Sequence, residues 1–333
     1  MAIAPVTKQD AELQAPSESA AGTPSRAATP APREDFDENL YLTGRPRLKD
    51  FLRYVRNHAV DPPNPGVLTE EWQAAHEVVR RLQKEEAGIP NNPFLQPVSS
   101  DNQLLLEFIK NPLVKNSFNT VPTEVAYVDL NQMVVYQAQI DLTFVRQLQK
   151  KLASAALNEE ELFRVCLPDG QATPPAKWSR MHHDTYVFVS PSNDLRFLGA
   201  MQMQPYHIQD YPPPGNLVGV VGLPVGFGSN FMNAIYSEKR LILNNGSHRA
   251  YALYEMGITR VPCIVQHVSS REELKVLACT AVTDAPNFYL KEPRPMMLKD
   301  YFDPRLYKVM QVHRRLRQIT VKFEVDEAFI PAF

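Results

Sequence analysis

Five consecutive residues, at positions 245–249, combine turn-forming and reactive side chains in the order Asn-Gly-Ser-His-Arg. The apolar spacing after the Asn-Gly pair predicts a helix that begins at Ser247 and is ended by Gly257. The free N–H groups of a first helical turn carry partial positive charge, so the cationic side chains of His248 and Arg249 are disfavoured there. A turn of this composition is suited to holding an anion.

Two interpretations of the turn are open. In the first, an anion accepts hydrogen bonds from the amides of Gly246, Ser247 and His248 and from the Arg249 guanidinium. Phosphate is the anion that we consider first. In the second, Arg249 faces solvent and a neutral His248 hydrogen-bonds to a carbonyl group. The residue types of the turn fit both interpretations.

A predicted strand, turn, helix and second strand position these residues. Residues 240–243 are a short apolar run suited to a strand, and residues 261–265 supply a second, buried strand after the helix. Ligands of such units usually bind at the strand-to-helix turn. The order of elements therefore places Asn245 and Gly246 at a binding edge.

The motif at 245–249, followed by Ala-Tyr-Ala-Leu and by Val-Pro-x-x-Val-Gln, resembles the nucleotide-binding motif of the ParB and sulfiredoxin superfamily. The similarity covers two blocks, residues 124–153 and 217–280. The first block is similar to that family's opening strand, ligand-binding loop and first helix. The resemblance implies an α+β domain that binds ATP or another nucleotide with Mg²⁺ through Asn245, Gly246, Ser247, His248 and Arg249. Gln137 and Gln139 would contact the substrate or the ribose.

Departures from the family pattern limit what the resemblance implies about activity. Sulfiredoxins carry their nucleophilic cysteine where this chain has Ser247, which argues against sulfinic-acid reduction. Partition proteins of the ParB type carry an arginine-rich motif and a helix-turn-helix, and this chain has a single Arg249 and no helix-turn-helix pattern after residue 280. Related small-molecule kinases use a carboxylate as general base, here Asp141. Asp141 is also placed to cap helix 142–153, so whether the chain is an enzyme stays open.

Composition narrows the class of protein. The chain has 333 residues and a formal net charge of −2, which argues against a protein dominated by nucleic-acid electrostatics. Cys166, Cys263 and Cys279 are scattered, which indicates reduced thiols and a cytoplasmic setting. The sequence has no apolar run of about eighteen residues and no secretory signal, so no membrane span is expected. The adjacent residues His182 and His183 point to opposite faces of an extended chain, so we predict no metal site.

The sequence predicts an α+β protein with a ParB/sulfiredoxin-like core, a helical N-terminal extension, a β-hairpin insertion and a C-terminal arm that ends in a strand. Low hydrophobicity predicts a disordered tail. Within the core, the pattern predicts a hairpin of residues 185–189 and 195–201, a buried strand at 217–225, a Gly-rich loop at 226–230 beside the Gly246 turn, and a helix at 231–236. The predicted ranges are 1–35 for the tail, 36–120 for the extension, 121–282 for the core with its insertion at 154–216, and 283–333 for the arm.

Helical spacing predicts three helices in the extension, at 46–59, at 69–88 with Thr69 as its cap, and at 101–110. The end of the chain alternates apolar and polar residues over 319–326, which predicts a half-buried strand.

Three functions follow from these patterns. The first is nucleotide binding, with phosphoryl transfer to a small molecule as the reaction that the resemblance suggests. The second is a non-catalytic component of a larger assembly, which binds a protein partner or a second copy through its tails and terminal strand. The third is nucleic-acid binding, which only the basic run at 305–322 supports.

Overall fold

The computed structural model describes residues 36–153, 157–168, 173–204, 206, 208 and 215–331, which form a mixed α+β fold with several small sheets. The predicted tail at 1–35 lies outside the described residues. The helices are α1 (Leu48–His58), α2 (Pro65–Glu85), α3 (Gln103–Phe108), α4 (Pro112–Ser117), α5 (Leu142–Ala153), α6 (Glu159–Cys166), α7 (Ser247–Glu255), α8 (Arg271–Leu277), α9 (Thr280–Asp284) and α10 (Pro286–Leu290). The strands are β1 (Phe36–Leu42), β2 (Leu95–Pro97), β3 (Thr123–Asp129), β4 (Gln139–Asp141), β5 (Lys177–His182), β6 (Thr185–Ser190), β7 (Leu195–Phe197), β8 (Met201–Met203), β9 (Val220–Gly222), β10 (Val225–Phe227), β11 (Asn233–Ser237), β12 (Arg240–Asn245), β13 (Arg260–His267), β14 (Tyr307–His313) and β15 (Arg317–Lys322).

A five-stranded sheet in the order β12-β11-β13-β3-β2 carries the turn at residue 246 on its edge strand. Strands β11 and β13 are parallel, and the other neighbouring pairs are antiparallel. Strand β13 is buried from Val261 to Gln266, as expected for a strand that is covered on both faces. The predicted strands at 240–243 and 261–265 and the predicted helix after the turn are confirmed, within three residues at each end.

The helix predicted at 231–236 is wrong, because this segment leads into strand β11. Ala234 and Ile235 are buried in the sheet, and the two-residue loop Glu238-Lys239, with φ of 49° and 67°, turns the chain into β12. Positive φ at both loop positions matches the twist of a hairpin. The parallel pairing with β13 is a long-range contact, so the local pattern does not reveal it.

A second sheet, in the order β14-β1-β4, joins three distant parts of the chain. Strand β1 is its central strand and pairs with β14 over seven residues and with β4 over three. The extension therefore contributes a strand as well as helices, and neither β1 nor β14 was predicted. Leu40 and Leu42 of β1 are both 1% exposed, so this strand belongs to the core.

The predicted helices at 46–59, 101–110 and 142–153 are confirmed as α1, α3 and α5, although α3 is shorter than predicted. The second helix starts earlier than predicted because its cap is Asn64, whose Oδ1 accepts from the Gly66 amide at 2.8 Å. Thr69 lies within α2 and donates to the Pro65 carbonyl oxygen. A proline at the first helical position needs no N–H partner, which favours this earlier start.

The insertion contains a hairpin, but its strands differ from the predicted ones. Strand β6 pairs with β5 and β15, whereas β7 pairs with β10. The chain changes direction after Ser190, where the Ser190 hydroxyl donates to the Pro175 carbonyl oxygen and accepts from the Ser192 amide. The buried strand predicted at 217–225 is also wrong, because Pro224 separates the short strands β9 and β10 and Val218 is 95% exposed.

A buried ion pair ties the 292–302 segment to α2. The Arg294 guanidinium donates to the Asp300 carboxylate at 2.7 Å and to Glu86 at 2.9 Å. Arg45 lies 3.8 Å from the same Asp300 carboxylate, and the side chains of Arg45, Arg294 and Asp300 are at most 3% exposed. Since isolated charges are costly in the interior, Asp300 compensates two buried cations.

None of the helices that the structure describes combines the length and the apolar composition that crossing a bilayer requires.

Candidate functional site

The β12–α7 turn is built around a glycine. Gly246 has a φ of 100°, which disfavours residues with a Cβ, and a Cβ at this position would lie 3.2 Å from the Met232 Cγ. The Asn245 amide group donates to the carbonyl oxygens of Ser229 and Phe231 at 3.2 and 3.0 Å. The Gly-rich loop therefore lies beside the Gly246 turn, as predicted.

A chain of side-chain amides supports the turn. Asn244 Nδ2 donates to Asn233 Oδ1 at 3.0 Å, and Asn233 Nδ2 donates to the Phe231 carbonyl oxygen at 3.1 Å. The Tyr136 hydroxyl donates to the Asn244 carbonyl oxygen, also at 3.0 Å. We did not predict Tyr136, Asn233 or Asn244 as site residues. The signal that could have found them is the cluster of asparagines at 230, 233, 244 and 245.

His248 is a neutral side chain that joins the turn to the loop before α5. Its Nε2 accepts a hydrogen bond from the Asp141 amide at 3.1 Å, and its ring lies edge to face with Phe144. Burial, with a smaller contribution from Arg249, lowers the pKa of His248 to about 4. Because Nε2 accepts, the single proton of the neutral ring resides on Nδ1. In the part of the chain that the structure describes, Nδ1 has no acceptor.

Arg249 points into the protein, away from the start of α7. Its Nη1 donates to the carbonyl oxygens of Val165 and Cys166 at 3.1 and 2.9 Å, and its Nη2 donates to Asn230 Oδ1 at 2.9 Å. The two carbonyls end helix α6, where the helix dipole favours a cation. Burial lowers the pKa of Arg249 from its usual value. The expected contact between this guanidinium and a phosphate therefore has no support in the geometry.

An anion is therefore not needed to neutralise the start of α7. His248 is neutral there, and Arg249 binds the end of α6. What remains open toward a ligand is the helix terminus itself. Among the described residues, the amides of Ser247, His248 and Arg249 have no acceptor, and the first intrahelical bond is donated by Ala250 to Gly246. These amides are neutral hydrogen-bond donors, and the dipole of α7 favours an anion beside them.

Asp141 caps α5 while its amide binds His248. Its Oδ1 accepts from the Phe144 amide at 2.9 Å, and burial raises the pKa of this carboxyl. Gln137 lies just before β4 and Gln139 is its first residue, and both are half-buried. The Gln137 carbonyl oxygen accepts from the Tyr301 hydroxyl, and Gln139 pairs with Tyr41 in the β1–β4 ladder. The structure thus brings loop 137–141 next to the 245–249 turn.

A surface groove lies apart from this turn. It has a volume of about 420 Å³ and lies between α5, α7 and β14, with Val145, Arg146, Tyr251 and Glu255 in its walls. None of residues 245–249 lines it. The hydrogen-bonding groups of the turn therefore lie outside this groove.

The remaining candidates do not converge on the turn. His182 and His183 are exposed at the β5–β6 hairpin, and their carbonyl oxygens accept from Arg180. Within the described ranges, no three His, Cys, Asp or Glu side chains come together as a metal site. Cys166 and Cys263 are buried, and burial raises the pKa of both thiols.

Three cations of the basic run at 305–322 form separate ion pairs. Arg305 binds Asp303, Lys308 binds Glu71 at 2.8 Å, and Arg314 binds Asp37 at 2.9 Å. These partners come from different parts of the chain. Arg315 contacts His58 Nε2 and Arg317 donates to the Leu195 carbonyl oxygen, so neither contact neutralises a charge. Nucleic-acid binding by this run therefore stays a prediction.

No family model matches this chain, and no curated protein or solved structure is significantly similar to it. The resemblance to the ParB and sulfiredoxin superfamily therefore rests on the residues of the two blocks alone.

Proposed function

We propose that this ParB/sulfiredoxin-like chain binds a phosphate-bearing ligand, most simply a nucleotide, at the first turn of α7. The observation that carries the proposal is the hydrogen bond from the Asp141 amide to His248 Nε2. It joins the two blocks of the resemblance and leaves the proton of a neutral imidazole on Nδ1, in a residue of the same first helical turn. Neutral donors at a helix N-terminus are a common way to bind phosphate.

The roles of the site residues follow from this geometry. The amides of Ser247, His248 and Arg249 and the Nδ1–H of His248 would bind phosphate oxygens, and Gly246 would let the backbone approach them. Arg249 holds the turn against α6. Gln137 and Gln139 would contact the sugar or another part of the ligand.

The side chains at this turn do not provide the ligands that would hold a Mg²⁺ ion directly. Among the site residues, Asp141 carries the one carboxylate, and its Oδ1 is engaged as the cap of α5. A magnesium ion would therefore have to arrive on the ligand's own phosphates. For the same reason we propose binding, and not phosphoryl transfer with Asp141 as general base.

Calorimetric titration with ATP, ADP, CTP and pyrophosphate, with and without Mg²⁺, tests this function. His248→Gln places an acceptor near the Nε2 position and removes the donor at Nδ1, whereas His248→Asn places a donor near Nδ1 and removes the acceptor. We expect His248→Gln to weaken binding about tenfold or more and His248→Asn to weaken it less, since only the former loses a ligand contact. Absence of binding by the wild type to all four ligands would contradict the proposal.

A second function, a component of a larger assembly, is favoured by the sheet β15-β6-β5. This sheet exposes Trp178 by 67% and Met181 by 61%. Apolar surface of this kind commonly marks an interaction site. Purification with native partners, compared between wild type and Trp178→Asp, tests it. An unchanged set of bound proteins in the variant would argue against this surface.

A further inference from the structure

The sheet β15-β6-β5 is the part of the described structure with the least cover. All residues of β5 are exposed, and those of β6 are half-buried apart from Ser190. No described strand pairs with the outer edge of β5. Open edges of this kind accept a strand from another chain.

One face of this sheet is aromatic. The register places Trp178 beside Phe188 and Arg180 beside Tyr186. The rings of Trp178 and Phe188 stack with centroids 6.0 Å apart, and those of Tyr186 and Phe323 stack at 6.4 Å. We call Trp178, Tyr186, Phe188 and Phe323 the aromatic face. Its aligned rings offer flat apolar surface at low cost in side-chain entropy.

The chain also carries an uncovered apolar segment. Residues 324–331, the terminal segment, are exposed at every position, and Val325, Phe329 and Ile330 are 72%, 106% and 85% exposed. The segment follows β15, whose last contact is the hydrogen bond from the Phe323 amide to the Asp184 carbonyl oxygen at 3.2 Å. It therefore leaves the sheet beside the β5–β6 turn.

The terminal segment and β5 have opposite charges. Three acids, Glu324, Asp326 and Glu327, lie in the segment, which has no basic residue. Strand β5 contains Lys177 and Arg180 and no acid. Complementary charge of this kind selects a partner and sets its register.

We propose that the terminal segment of a second copy of this chain docks along the edge of β5, against the aromatic face, and that the exchange is reciprocal. Backbone hydrogen bonds to the open edge would add a strand to the sheet, and the apolar side chains would cover the rings. This inference names the partner for the assembly role proposed above and rests on it.

The direction of the chain favours a second copy over the chain's own segment. Strand β15 is antiparallel to β6, and β6 is antiparallel to β5, so β15 and β5 are parallel. A segment leaving β15 must reverse its direction to return along its own β5. Across a twofold axis, each copy can supply a segment to the other without that reversal. Eight extended residues span about 26 Å, enough for a strand of about 20 Å.

Sedimentation velocity of the full chain over a wide range of concentration is the first test. We expect a dimer that weakens with added salt, because part of the attraction is between exposed charges. Removing residues 324–333 should give a monomer. The double substitution Lys177→Glu with Arg180→Glu should weaken the dimer at least tenfold. Far-UV circular dichroism and a cooperative thermal transition establish that each variant is folded; loss of the dimer itself lowers the melting temperature.

A mixing experiment makes the test specific. The copy that lacks residues 324–333 retains an intact β5, and the copy with the charge-reversed β5 retains its segment. We expect each to be monomeric alone and the two to associate one to one when mixed. Matched variants with Glu107→Lys and Lys110→Glu, at exposed positions outside this sheet, should behave as wild type.

Three outcomes would overturn the inference. They are a full chain that stays monomeric, a dimer that survives removal of the segment, and a mixture that does not associate. Binding of a single-stranded oligonucleotide that is lost in Trp178→Ala, by a chain that stays monomeric, would assign the aromatic face to nucleic acid instead. A monomeric wild type overturns self-association alone, since the assembly role is judged separately by the proteins that co-purify.

Discussion

The Asp141 amide donates to Nε2 of His248 at 3.1 Å across 107 positions of the chain. A ring nitrogen that accepts a hydrogen bond cannot carry a proton, so this contact and protonation of Nε2 exclude each other. The loop before α5 and the start of α7 are therefore held together by a histidine that must stay neutral.

Acid should weaken the fold through His248. Its pKa falls from 6.5 to about 4 on folding, mainly through burial, so the unfolded chain binds the proton at higher pH than the folded chain. The stabilisation is complete above pH 6.5 and is lost as the pH falls toward 4, by up to about 3 kcal/mol. Urea unfolding of wild type and His248→Gln across this window measures it.

Carboxylates titrate in both proteins, so the difference between them is the readout. We expect His248→Gln to lose less stability than the wild type as the pH falls. His183→Gln, at an exposed histidine, is the matched control and should follow the wild type. Equal acid sensitivity of wild type and His248→Gln would rule out this role.

Arg249 should matter for stability more than for ligand binding. Arg249→Met leaves the carbonyls of Val165 and Cys166 without their buried donor, and we expect a loss of about 3–5 kcal/mol in the free energy of unfolding. Arg249→Lys keeps the charge but loses the forked geometry and should lose less. Chemical denaturation measures both.

The control for Arg249 is Arg146→Met, at an exposed arginine of α5 that pairs with Glu38. Exposed pairs contribute about 1 kcal/mol or less. If Arg249→Met were as stable as Arg146→Met, the guanidinium would not be supporting α6. If folded Arg249→Lys bound no nucleotide while the wild type did, the guanidinium would have a direct role in the site.

Alanine substitutions at two glycines with positive φ distinguish the cost of backbone strain from the cost of a steric clash. Gly246 and Gly257 have φ of 100° and 83°, but an added Cβ meets Met232 at the first position and nothing within 4 Å at the second. We expect Gly257→Ala to cost about 1 kcal/mol from strain alone and Gly246→Ala about 2 kcal/mol or more. Thermal unfolding measures the difference, and equal costs would mean that Met232 moves freely.

Asp300 should be among the most sensitive charged positions. Asp300→Asn removes the charge that compensates the buried side chains of Arg45 and Arg294, so we expect a loss of about 3–5 kcal/mol. Asp303→Asn, which disturbs the pair with the exposed Arg305, is the control and should cost about 1 kcal/mol or less. Comparable losses in the two variants would show that the interior tolerates the unbalanced cations.

Local patterns predicted the elements around the site well, because helix α5, helix α7 and strand β13 have strong periodicity and clear ends. The juxtaposition of loop 137–141 with the 245–249 turn also agrees with the order of the two blocks. The role of Arg249 could not be predicted, since its acceptors at the end of α6 lie more than eighty positions away. A basic residue at a helix start can bind an anion or the carbonyl end of another helix, and the sequence does not distinguish them.

Strand pairing was the second feature that the sequence did not predict correctly. The turn-forming residues at 191–194 suggested that β6 and β7 pair with each other, but β6 lies between β5 and β15. Pairing depends on which distant strand arrives at an edge, and a local pattern does not contain that information. Strand β11 was not predicted for the same reason. It is short, and it forms because it lies between β12 and β13.

Strand β1 also bears on when the protein can fold during synthesis. Its hydrogen-bonding partners are residues 139–141 and 307–313, so its longer ladder forms only after residue 313 has left the ribosome. Until then Leu40 and Leu42 lack the strand that closes their sheet. A nascent chain of this protein should therefore stay bound to chaperones until residue 313 has left the ribosome.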